Sequence, residues 1–132
     1  MRRETLLTIT ICLVVGLTFG CNSKGTRLEY DGNELYYTKR VTEAEAKKLG
    51  EYLFNGAAYG RKDKGTIQLD KSGETYQVRM VIKKGEDKEE NVEETVAGFA
   101  KGISRHVFNG AKVEVQLCDD KLNTLRTIQM GE

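Results

Sequence analysis

The stretch Thr66-Ile67-Gln68-Leu69-Asp70-Lys71-Ser72-Gly73-Glu74-Thr75-Tyr76-Gln77-Val78-Arg79-Met80-Val81-Ile82-Lys83 decides the fold. Residues 66–70 alternate, with Ile67 and Leu69 on one face. After the tight turn Lys71-Ser72-Gly73-Glu74, the side chains of Tyr76, Val78, Met80 and Ile82 share a face. Gln77, Arg79 and Lys83 point the other way, and Val81 is the exception among them. A period of two on both sides of a turn predicts a half-buried hairpin with one solvent-accessible side. Its apolar side must be covered by something else in the chain.

The flanking sequence supplies the cover. Upstream, Thr42 and Glu45 form a capping box, with Val41 and Ala46 at the staple positions. Ala46, Leu49 and Leu53 make the apolar stripe of this helix, and Asn55-Gly56 ends it. Downstream, Val92, Val96, Phe99, Ile103 and Val107 recur at helical spacing behind Glu86, Asp87, Glu89 and Glu90, acids that suit a helix N-terminus. Gly98 and Gly102 read as permitting close packing of that helix on the sheet. Residues 34–38, 113–117 and 123–130 add strands. The expected fold is α+β: a largely antiparallel sheet of about five strands, two helices on one face, order βαββαββ. Phe54-Asn55-Gly56-Ala57 recurs as Phe108-Asn109-Gly110-Ala111, each time before a hairpin. A duplicated helix–hairpin unit and convergent capping chemistry both explain the recurrence. The open sheet face is expected to carry Gln68, Gln77, Arg79, Lys83, Glu114 and Gln116, of which Gln77, Arg79, Lys83 and Gln116 are the candidate interaction residues.

The N-terminus has a different character. Arg2 and Arg3 precede an apolar run that ends at Phe19-Gly20-Cys21, the layout of a secretory signal. The run is too short, at roughly 21 Å of helix, for the ~30 Å hydrocarbon core. Residues 1–20 are thus expected to be a signal peptide and residues 21–33 a flexible tether reaching roughly 20 Å. Residues 34–132 would then be one domain. The Gly20-Cys21 pair resembles the lipobox of bacterial lipoproteins, which implies cleavage before Cys21 and acylation of its thiol. Ordinary signal cleavage at the same bond and an uncleaved short anchor are the rival readings. Asn22 resembles the outer-membrane class of lipoproteins, should the cell be Gram-negative.

Charge and cysteine content narrow the functions. Removing Arg2, Arg3 and Glu4 from 21 basic and 20 acidic side chains leaves the mature chain near neutrality. That balance argues against nucleic acid as a partner. Cys12 leaves with the signal, so Cys118 stands alone if Cys21 is acylated, and a Cys21–Cys118 disulfide is open if it is not.

Enzymatic constellations are sparse. His106 and Cys118 are the sole Cys–His candidates, and strand geometry sets them roughly 20 Å apart, far beyond hydrogen-bond reach. A role near the helix C-terminus suits His106 better. With one histidine there is no zinc ligand set, and Asp119-Asp120 lacks the ordered loop that calcium needs. No cofactor fingerprint or nucleophile elbow is present. The loop Arg61-Lys62-Asp63-Lys64 is basic enough to touch anionic headgroups or peptidoglycan, or simply to be solvated.

The runs Glu34-Leu35-Tyr36-Tyr37-Thr38, Val41-Thr42-Glu43-Ala44-Glu45-Ala46, Val107-Phe108-Asn109-Gly110-Ala111 and Val115-Gln116-Leu117-Cys118-Asp119 are similar to an uncharacterised bacterial domain of exported lipoproteins. These motifs are caps, turns and strand faces, so the resemblance implies a fold and no activity. The expectation is a non-enzymatic, lipid-anchored envelope module, without cofactor or metal. It would bind the membrane through its lipid and an envelope protein or cell-wall partner through its face. The alternative is a secreted or periplasmic small hydrolase or small-ligand-binding protein.

Overall fold

The structure, a computed structural model, describes residues 24–56 and 58–131. The expected signal peptide (residues 1–20) and the expected lipidation site, Cys21, lie outside the described residues. The central hairpin forms as its alternation dictates: β3 (Thr66–Ser72) pairs antiparallel with β4 (Thr75–Val81) across a two-residue loop, Gly73-Glu74. Around it lie β1 (Thr26–Tyr30), β2 (Asn33–Tyr37), α1 (Glu43–Gly50), α2 (Val92–Val107), β5 (Val113–Cys118) and β6 (Thr124–Gln129). The six strands stand side by side in chain order.

Two features correct the expected βαββαββ, mostly antiparallel, five-stranded sheet. The first is β1, which pairs antiparallel with β2 and lies wholly within the expected tether, residues 21–33. Asp31 (φ 53) and Gly32 (φ 90) make the two-residue loop between them, and both residues accept the left-handed backbone that such loops require. Leu28 and Tyr30 from β1 pack against the core, so this segment has apolar surface to bury. The second is that the sheet is mixed. β2–β3 and β4–β5 are parallel pairs. A helix running back along a sheet returns the chain to its starting end, so each helix here is a crossover between parallel neighbours.

Both helices cover the same face. Ala46, Leu49 and Leu53 join Ala100, Ile103 and Val107 in one core with Leu35, Ile67, Leu69, Val78, Val115 and Leu117. Tyr52 stacks on His106 where the helical segments meet, with ring centroids 5.4 Å apart. This fixes an unusual geometry. The two crossovers step the same way across the sheet, but the antiparallel β3–β4 pair reverses strand direction between them. With both helices on one side, the crossovers have opposite hands, so one departs from the right-handed preference. The units α1–β3–β4 and α2–β5–β6 are therefore not superposable, which removes duplication as the origin of the repeated tetrapeptide. Its two copies also differ in backbone: Gly56 has φ −90, whereas Asn109 and Gly110 have φ 53 and 88.

Local chemistry explains the helix positions. At α1 the Thr42 hydroxyl accepts from the Glu45 amide, and the Glu45 carboxylate accepts from the Thr42 amide. The helix continues as a π-helical turn, Glu51–Asn55, which sets Phe54 between Tyr30 and Tyr59. Glu45 also accepts from the hydroxyl of Tyr76. The Tyr76 ring stacks face to face on Phe108 at 3.8 Å, with the Lys71 ammonium 4.6 Å from its centre. One residue of β4 thus ties the start of α1 to the end of α2. In α2, Gly98 meets open space and Gly102 lies under the Tyr52 hydroxyl, so neither glycine serves close packing on the sheet.

Candidate interaction face

Side chains that alternate with the core residues line the uncovered side of the sheet. The register places Tyr36, Gln68, Arg79, Gln116 and Thr127 in one row across β2 to β6. Asp70, Gln77, Glu114 and Gln129 form the next. Arg79 is the centre of the first row. Its Nε donates to Gln116 Oε1 (2.9 Å) and its Nη1 to Gln68 Oε1 (2.6 Å). Its Nη2 donates to the Leu122 carbonyl (2.7 Å) and Thr124 Oγ1 (3.1 Å). Gln68, buried at 4% exposure, passes the chain of bonds on through its Nε2 to the Lys24 carbonyl, 2.9 Å away.

Glu114 organises the second row. It accepts from the side-chain amides of Gln77 (2.9 Å), Gln116 (2.8 Å) and Gln129 (3.0 Å). Burial pushes its carboxyl up, and the three amides outweigh burial, leaving its pKa below the ordinary value. At the end of this row Asp70 accepts from Arg40 Nε and Nη2 (2.8 and 2.9 Å), the Thr38 hydroxyl (2.6 Å) and the Lys71 amide (2.8 Å). The Arg40 guanidinium, against the opposing effect of burial, brings the Asp70 pKa down to about 2.

The structure therefore brings Gln77, Arg79 and Gln116 together, as the alternation predicts, and separates Lys83 from them. The chain leaves the sheet after Val81, and Lys83 pairs with Asp63 instead. Arg61 pairs with Glu86, and Lys64 donates to the Asp31 carbonyl. These contacts tie down much of the charge of the basic loop. Lys24, Leu122 and Thr124 were not legible as parts of the face. The Asp31-Gly32 turn was the available signal that the chain before it belongs to the sheet.

The remaining candidates occupy separate places. Cys118 is fully buried on the open side of the sheet, and burial pushes its thiol up. His106 stacks on Tyr52 on the helical side, so the sheet stands between the two. Asp119 and Asp120 line a groove of about 620 Å³ with Ile82, Lys84, Asp87 and Leu125. The Asp119 carboxylate is occupied by the amides of Lys121 and Asn123 (3.0 and 2.9 Å). Among the described residues, no three acidic, histidine or cysteine side chains are placed to hold a metal ion. A second concavity, about 760 Å³, lies between Gly25-Thr26-Arg27 and residues 36–41.

No curated protein and no solved structure matches the chain. A family model described as the AF_1994_N family N-terminal domain matches residues 27–130, from the second residue of β1 to just past the end of β6. On that match the chain belongs to the AF_1994_N family, whose N-terminal domain it carries.

Proposed function

We propose that this chain is an exported, lipid-anchored, non-catalytic binding module of the cell envelope. Cys21 would carry the lipid after cleavage beyond Gly20, and the partner would be an envelope protein or cell-wall polymer met by the open sheet face. The observation that carries this reading is the division of the sheet into two unlike faces. Both helices lie on one, and the other is a polar layer joined side chain to side chain through Arg79, Gln116, Glu114 and Gln77. Side chains already held in one arrangement lose little further freedom on binding, which favours recognition by a flat surface. The balanced charge of the mature chain favours a polar or mixed partner over a polyanion.

Arg79 is a poor probe of this reading, because its removal would unfasten Gln68, Leu122 and Thr124 together. Gln77 and Gln129 are better placed. A photo-crosslinking residue at either position, in protein made in its own cells, is expected to give a discrete adduct absent when the probe replaces Glu94 on α2. Adducts from Glu94 alone, or equal adducts from all three sites, would remove the open face as the interface.

A further inference from the structure

We infer that the cleft between the start of β1 and the β2–α1 connection is a membrane-contact site that takes the phosphate of an anionic phospholipid headgroup. This rests on the reading of Cys21 as the lipid anchor, and it follows from how Lys24 is held. The Lys24 carbonyl is held by Gln68 Nε2, and the Lys24 ammonium lies 5.4 Å from the centre of the Tyr36 ring. Both partners belong to the open face, so the chain is fixed there from Lys24 onward. Asn22 and Ser23 alone separate Lys24 from Cys21. Three residue steps span at most about 11 Å. An acyl chain on Cys21 therefore holds this corner of the domain at the headgroups, with no room for the longer spacer that residues 21–33 suggest.

The corner has the chemistry for that neighbour. Every charged side chain lining the cleft is basic: Arg27, Lys39 and Arg40, beside Tyr36, Tyr37 and Thr38. Arg40 spends Nε and Nη2 on Asp70, and Arg27 spends Nε on Glu34 and pairs through Nη2 with Glu29. Arg40 keeps 67% and Arg27 46% of the side-chain surface open to solvent. Lys39 makes none of the ion pairs among the described residues. Three cations attract an anionic surface weakly, and the attraction falls off within a Debye length. A short anchor holds them inside that length, so weak binding is enough.

The test installs the anchor chemically, so that it does not depend on whether the cell acylates Cys21. The mature chain is coupled through its Cys21 thiol to a maleimide lipid in vesicles, with buried Cys118 protected from reaction. Amide hydrogen exchange is then compared on phosphatidylcholine vesicles with and without phosphatidylglycerol. Exchange at residues 36–41 should slow about fivefold on the anionic vesicles, and Lys39→Glu should abolish the slowing while leaving exchange in β3–β5 unchanged. Equal exchange on both vesicles, or slowing that survives Lys39→Glu, would overturn the site. Slowing on neutral vesicles with added inorganic phosphate would assign it to free phosphate and overturn the membrane contact. The anchor reading fails separately, if the native protein carries no acyl mass.

Discussion

At the scale of single residues, Asp70 shows how the open face is held. Its four donors favour the ionised form, and its pKa falls from the ordinary 3.8 to about 2. The stability it contributes is complete above about pH 4 and drains away as pH falls toward 2. Arg40 is two-thirds exposed, so solvent screening limits the contribution to roughly 1 kcal/mol. Asp70→Asn should therefore lower the urea midpoint at pH 7 and match the parent near pH 2, and an equal deficit at both pH values would refute the pairing. Two glycines give opposite expectations. A Cβ at Gly98 meets nothing within 4 Å, so Gly98→Ala should stabilise α2 by about 0.5–1 kcal/mol. Gly25 has φ 102 and sits against the Tyr37 carbonyl, so Gly25→Ala should cost about 2–3 kcal/mol and loosen the Lys24 contact. Thermal unfolding of the two variants should move in opposite directions.

At the scale of elements, the sequence carried the strands and helices wherever a periodic pattern met a cap. The Thr42–Glu45 box, the α2 stripe and the β3–β4 alternation were legible because local chemistry sets each of them. Strand direction was not, since a parallel pair is made by a crossover whose partners lie far apart in the chain. β1 was missed because Thr26, Arg27 and Glu29 look like linker residues, although Asp31-Gly32 marks a hairpin and Leu28 and Tyr30 are its inward positions. Of the expected site, Gln77, Arg79 and Gln116 followed from alternation. Lys83 did not, because the strand ends two residues before it. The β1 assignment predicts that deleting residues 24–32 lowers stability by at least about 3 kcal/mol, through lost burial of Leu28 and Tyr30 and an exposed β2 edge. A tether would be dispensable. Arg79→Lys keeps the charge but cannot reproduce the planar fork that reaches Gln116, Gln68 and the Leu122 carbonyl. Amide exchange at residues 119–123 should speed up in that variant well before global unfolding does.

At the scale of the whole molecule, the opposite-handed crossovers place both helices on one side and leave the other side to the polar layer. Lys24, three residues after Cys21, is held on that polar side by Gln68. The proposed anchor and the proposed recognition surface would thus lie on the same side of the domain, and a partner on this face would itself be held close to the membrane. Everything in this arrangement depends on what happens at Cys21. The most direct measurement is the intact mass of the protein purified from its own cell envelope. The account predicts a mass of residues 21–132 plus acyl chains. A mass that retains residues 1–20, or that corresponds to residues 21–132 with no lipid, would contradict it.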